Sequence, residues 1–230
     1  MTTADAVRAR LGLGRLLPLG GPEDGAWLTE QAADPVLRLA AGRIEGAVPG
    51  RLRVTPADPD GAAPPGSVPA PPSALPPGPL RIEADFAATA DLPLPAVASA
   101  VRDALFTAAV EELGLTVTEV DLRVTELLDA PEGDGAATAG ESPTATPPVG
   151  GRAVSVADPA ARVAAAAPGV ARLTATLGAA VHLASDHVRV EVAVARGHRP
   201  LDVVRAVRAA VSAELGDGRP VSVLVTAVAV

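Results

Sequence analysis

Cysteine, lysine and tyrosine are absent from this 230-residue chain, and aromatic side chains make up 1% of it. Without cysteine there can be no disulfide framework, thiolate nucleophile or cysteine-based zinc site. Trp27, Phe86 and Phe106 are the only aromatics, too few for the stacking platform that single-strand nucleic-acid binders use. All 19 basic residues are arginine, a bias that goes with an Ala-, Gly- and Pro-rich composition and carries no functional weight. Long apolar runs are missing too, and a spanning helix needs about 18 or more uncharged residues. The stretch Leu11–Leu19 is broken by Arg15 and Pro18 and lacks the order of a signal peptide. These features lead us to expect a cytoplasmic protein without a membrane span.

What is present is hydrophobic (48% of residues) and acidic overall, with a net charge of -8. The charge is uneven. Residues 21–128 hold 16 acids against seven arginines, whereas residues 152–230 hold six acids against nine arginines. Two solvated surfaces would account for this, but opposite fields also favour head-to-tail docking.

A repeat explains the organisation. In the second half, Val188, Val190, Val192 and Val194 alternate with Arg189 and Glu191, predicting a strand with its valines inward and its charges outward. Leu201, Val204, Val207, Val211 and Leu215 then form a helical stripe that leaves Asp202, Arg205 and Arg208 nearer solvent. The run Val221–Val230 is apolar on both faces and predicts a covered or central strand. In the first half, Leu80, Ile82, Ala84 and Phe86 alternate with Arg81, Glu83 and Asp85. The stripe Leu94, Val97, Val101, Leu105 and Ala108 follows, then the strand Val117–Val124. Asp158-Pro159 reads as an N-cap and first helical residue, with the helix ending at Pro168-Gly169. The corresponding helix is expected from Trp27 to Asp34-Pro35 up to Pro49-Gly50.

The expected fold is α+β, with two related modules in α-β-β-β-α-β order. Each would be a small antiparallel-rich sheet packed against two helices. The boundaries are an N-terminal segment 1–20, a degenerate module 21–128, an acidic linker 129–151 and a second module 152–230. Residues 56–79 contain 10 prolines in 24 positions and are expected to form a disordered insert in the first module's hairpin.

Candidate chemistry is sparse. His182, Asp186 and His187 approach one another across a predicted turn, but they straddle it and lack a fourth ligand, so turn histidines are the preferred reading and no metal is expected. Glu111-Glu112 sits in a charged terminal turn and is read as solvent-facing. The glycines Gly12, Gly14, Gly20 and Gly21 follow no predicted strand, and no serine lies in a nucleophile-elbow motif. No catalytic residue and no cofactor are expected, so an enzyme is not. Arg196, Arg199, Arg205 and Arg208, with His198 between the first two, form the candidate interaction face for an anionic partner. Reversing Arg199, Arg205 and Arg208 together is expected to weaken association without unfolding the chain. Nucleic acid is not expected, because phosphate-backbone binding needs clustered cations on a basic chain.

The strand Val188–Val194, Gly197, Pro200-Leu201, the helix carrying Val203, Val204, Val207 and Val211, and the strand Val221–Val228 together resemble the alkaline shock protein family, also called envelope stress response proteins. Pro168-Gly169-Val170 is similar to that family's helix-to-strand junction. The likeness covers residues 155–230 and is fainter in the first module, where Gly197 has no counterpart among Ala88–Asp91. The resemblance implies a non-enzymatic cytoplasmic scaffold, peripheral to the inner face of the membrane. It further implies a membrane-anchored protein partner and self-association. The alternative is a small-ligand or nucleic-acid-binding regulatory module that uses the same arginine face.

Overall fold

The computed structural model describes residues 12–61, 66, 68–71, 74–129 and 158–230. The acidic linker expected at 129–151 lies outside these residues apart from Asp129, as does most of the N-terminal segment. The elements run β1 (Leu16–Pro18), β2 (Ala26–Thr29), α1 (Glu30–Gly42), β3 (Ala47–Pro56), β4 (Leu80–Thr89) and α2 (Leu94–Thr107). A π-helical turn (Ala108–Leu113) continues α2 into β5 (Val117–Leu128). There follow α3 (Pro159–Ala166), β6 (Val170–Leu173), β7 (Val181–Leu183), β8 (Val188–Val194), α4 (Pro200–Leu215) and β9 (Val221–Val228).

The α+β class and the repeat are both visible. Each half has an antiparallel pair followed by a parallel pair crossed over by a helix: β3-β4-α2-β5 and β6-β8-α4-β9. Both sheets are mixed, with antiparallel pairs in the majority in the six-stranded one and one pair of each sense in the other, since a helix between consecutive strands returns the chain in a parallel sense. The two repeats also match in register, with Leu80 opposite Val117 and Val188 opposite Val221.

The Pro-Gly pairing of the two helix ends is displaced by four residues. Both strands begin after a left-handed glycine, Gly46 (φ 75°) in the first repeat and Gly169 (φ 80°) in the second. The carbonyl of each accepts a backbone N–H from the paired strand's far end, Thr89 and Ala195 respectively. What the turn requires is a positive φ, which glycine adopts without a Cβ penalty. Pro49-Gly50 instead sits inside β3, where the ladder shifts register between Pro49 and Leu52. The first helix starts within the expected span, at Glu30, but ends at Gly42, well before Pro49-Gly50. Thr29 caps it by accepting the Ala32 N–H at 3.2 Å, so Pro35 falls within α1. The second helix begins where expected, with Asp158 accepting the Ala160 N–H at 2.9 Å.

The largest departure is the first strand pair. β1 and β2 fall in the N-terminal segment and the first module, yet β2 pairs in parallel with β9 and completes a six-stranded sheet in the order β1-β2-β9-β8-β6, with β7 also on β8. The first repeat keeps only the three-stranded sheet β3-β4-β5. α1 packs on β3 and also on β2 and β9, so it belongs to both sheets. One contiguous core takes Val36 and Leu37 from α1, Val97 and Leu105 from α2, Val204 and Val207 from α4, and the inward residues of β4, β8 and β9. Aliphatic burial on the order of 25 cal/mol per Å² must carry such an aromatic-poor core, which favours one large core over two small ones.

β9 is central, as its two apolar faces demand. Val221, Val223 and Val225 enter the main core, while Leu224 joins Leu16, Trp27 and Val68 in a second cluster on the opposite face. Val68 comes from the proline-rich insert, which also donates the Leu75 N–H to the Leu16 carbonyl at 2.8 Å. Among its described residues, then, the insert is packed where it covers this face. The expected disorder does not hold there. Phe106 on α2 lies off the buried stripe and is 43% exposed.

Candidate functional site

The first turn of α4 meets the acidic loop between β1 and β2. Gly20 donates its N–H to the Gly114 carbonyl at 3.2 Å, and Leu201 packs into the gap left by these two glycines. Asp24 in this loop is 4% exposed and accepts two hydrogen bonds from Arg205, Nε–Oδ1 at 2.7 Å and Nη2–Oδ2 at 3.0 Å. Burial alone would raise the Asp24 pKa. The Arg205 hydrogen bonds, the Gly21 N–H and the Arg205 and Arg208 charges outweigh it and hold the carboxyl below its usual value. Arg208 Nη1 donates to the carbonyls of Glu23 (2.6 Å) and Asp24 (2.7 Å). Arg199 Nη2 donates to the Val110 carbonyl at 2.8 Å, capping an acceptor in the π-helical turn at a helix end.

Three of the four arginines expected to face a partner therefore hold the chain's own halves together. The acidic-to-basic docking inferred from the charge asymmetry occurs within one molecule, between the 21–24 loop and α4. The reversal of Arg199, Arg205 and Arg208 would not be structurally silent, because each would lose an acceptor in the seam.

Arg196 is different. It is exposed, and among the described residues its side chain makes no hydrogen bond or ion pair. It lines a groove of about 390 Å³ at the same seam, together with Val36, Leu39 and Arg43 of the α1 end, Glu111, Glu112 and Leu113 of the π-helical turn, His198 and Arg199, and the chain end Val228–Val230. Arg43, Glu111 and Glu112 are likewise exposed, and their side chains are unpaired among the described residues. Leu39 and Val230 are among the few large hydrophobic residues left exposed. The lining thus combines an apolar floor with free charges of both signs and contains no hydroxyl or thiol group. Such a surface suits a polypeptide carrying both charge and an apolar anchor, the composition of protein interfaces. Sequence reasoning picked out Arg196, Arg199, His198 and the Glu111-Glu112 pair separately. It missed Arg43, because nothing local shows that the end of α1 lies beside the β8–α4 turn.

The remaining candidates are structural. His182 and His187 do meet, with ring centroids 6.4 Å apart, and His187 Nδ1 lies 2.9 Å from Asp186. Among the described residues no three His, Asp or Glu side chains converge as a metal site would require. Glu191, expected to point to solvent, is fully buried beside Leu224, because the 174–180 loop folds over this face of the sheet. Its carboxylate accepts the Leu177 N–H at 3.1 Å, and burial pushes its pKa up against the pull of that bond and of Arg189.

No helix among the described residues is long and apolar enough to cross a membrane. No protein-family model, curated protein or solved structure matches the chain.

Proposed function

We propose that the protein is a non-enzymatic scaffold of the envelope stress response type, acting through protein partners at the inner face of the membrane. The observation that supports the interaction role is the seam groove, where Arg43, Arg196, Glu111 and Glu112 stand unpaired around exposed Leu39 and Val230. Exposed apolar side chains rimmed by charges mark an interaction site: the apolar residues gain by being covered, and the charges set the partner's orientation. The membrane-anchored partner and the association of further copies come from the family resemblance of residues 155–230. The groove is the place where such a partner would dock.

The test is co-purification of the tagged native protein after gentle membrane extraction, compared with an Arg43→Glu/Arg196→Glu variant of equal thermal stability. Recovery of a small membrane-anchored protein by the wild type, lost in the variant, supports the reading. Recovery only from the soluble fraction, salt-dependent RNA in place of protein, or retention of the partner by the variant each contradicts it.

A further inference from the structure

The two sheets end differently. The six-stranded sheet closes on β1 at one side and on β6 and β7 at the other, all of three or four residues. The three-stranded sheet ends on β3, whose ladder shifts register and whose edge meets Arg38 at the Gly50 carbonyl and Glu30 at the Val54 N–H, and on β5, a strand of 12 residues whose only strand partner among the described residues is β4. A long open edge is a template for another strand, and proteins usually blunt it. Here the ladder shifts register after Leu80 and after Phe86, leaving residues 119–124 as a regular segment between two irregularities. Along it Glu119, Asp121 and Arg123 are exposed, while Val120, Leu122 and Val124 lie against the core. The Val120 carbonyl accepts from Arg102 Nε at 3.3 Å. It therefore turns away from β4, as alternate residues of an edge strand do.

The charge order of this segment is complementary to its own reverse. An antiparallel pairing centred on Leu122 sets Asp121 opposite Arg123 of a second copy, and does so twice by symmetry. Val120 then meets Val124, and Leu122 meets itself. A shift of the centre to Arg123 sets Arg123 against Arg123, and a shift to Asp121 sets Asp121 against Asp121 even as Glu119 meets Arg123, so only the Leu122 centre pairs its charges with no like-charge contact. Arg123 already bonds Asp85 at 2.9 and 2.8 Å, and Arg81 lies 3.4 Å from Asp121. Pairing would extend these into one charge ladder across the axis.

We propose that β5 pairs antiparallel with β5 of a second copy about a twofold axis at Leu122, joining two three-stranded sheets into one of six strands. The proposal rests on the self-association part of the reading above and gives it a surface. It can be tested apart from the groove, because Arg43 and Arg196 are not on β5. A single short strand pair buries little area, so the dimer is a weak one that forms at high protein concentration.

Because the chain has no cysteine, Leu122→Cys introduces a single thiol. Across such an axis the two Cα atoms come to about 5.5 Å, within reach of a disulfide. Mild oxidation of the full-length variant is expected to give a linked dimer, whereas Glu83→Cys on the middle strand remains monomeric. In sedimentation velocity, Asp121→Arg should weaken dimerisation about tenfold, because two opposite-charge pairs become two like-charge pairs. Asp121→Arg/Arg123→Asp should restore it. A wild type that stays monomeric at every concentration, equal cross-linking of the two cysteine variants, or failure of the double variant to recover would overturn the proposal. If the dimer fails while groove-dependent capture persists, only the β5 assignment is lost. The reverse result removes the groove alone.

Discussion

Asp24 and Arg205 are 181 residues apart in the chain and are joined by two hydrogen bonds of 2.7 and 3.0 Å. One belongs to the acidic half and the other to the basic half, and their fork holds against α4 the same β1–β2 loop whose Gly20 N–H bonds Gly114 at the end of the first repeat's helix. Removing one partner of a buried pair leaves the other without its counter-charge. Asp24→Asn is therefore expected to destabilise the protein by about 1–3 kcal/mol, the discount reflecting the half-exposed arginine. A Tm unchanged from wild type would contradict this.

The same pair sets a pH dependence. The folded-state pKa of Asp24 lies below the usual aspartate value of 3.8, so its contribution is complete above that value and is lost as pH falls through the folded one. Denaturant titrations should show the gap between wild type and Asp24→Asn closing in acid. A gap independent of pH would mean that the carboxylate charge is not what holds the loop.

Glu191 works in the opposite sense. Its folded-state pKa is raised above 4.5, so its ionised form opposes folding. The stability is fully present below the unfolded value and declines as pH rises through the folded one. Glu191→Gln should flatten the loss of stability as pH rises above 4.5. An unaltered slope would place the titrating group elsewhere.

Gly114 ends the π-helical turn at φ 87°, and a Cβ there would lie 2.5 Å from Leu201 Cβ. The strain and the clash come together at the seam, where Leu201 cannot withdraw without lifting α4. Gly114→Ala is expected to cost about 2–4 kcal/mol, or roughly 5–10 °C in Tm for a chain of this length. Thermal unfolding followed by circular dichroism measures it directly, and a shift of less than about 2 °C would count against the packing described.

Groove and seam should separate in mutagenesis. Arg196→Glu is expected to leave Tm within about 1 °C of wild type, since its side chain has no partner to lose. Arg205→Glu should lower Tm markedly by setting a carboxylate against Asp24. Equal effects in the two variants would erase the distinction between them.

The strands and helices with strong periodicity were legible in the sequence, because period-2 and helical patterns state which face is buried. Val188–Val194 and the α4 stripe emerge as read. The exceptions share a cause: each depends on what an element meets rather than on what it is. Glu191 alternates with buried valines and so reads as exposed, but the 174–180 loop and the Trp27–Leu224 cluster cover its face of the sheet. Arg205 and Arg208 lie on the polar side of α4, and no local pattern shows that the 21–24 loop arrives there. β2 has four residues, too few for periodicity to reveal that it pairs with a strand nearly two hundred positions away. For the same reason the groove was legible only in pieces, Arg196 and Glu111-Glu112 among them, and its position between α1 and the β8–α4 turn comes from tertiary packing alone.

The central claim is that the repeats share one core, clasped at Asp24 and Arg205. Trp27, the chain's single tryptophan, lies on β2 beside β9 and reports on the six-stranded sheet, while circular dichroism reports on both sheets. The most direct test is equilibrium unfolding in urea, followed at once by Trp27 fluorescence and by far-ultraviolet circular dichroism. One cooperative body predicts coincident transitions by both probes, shifted together to lower denaturant in Asp24→Asn. A tryptophan transition that precedes a separate loss of secondary structure would show that the halves fold independently, and would contradict the account.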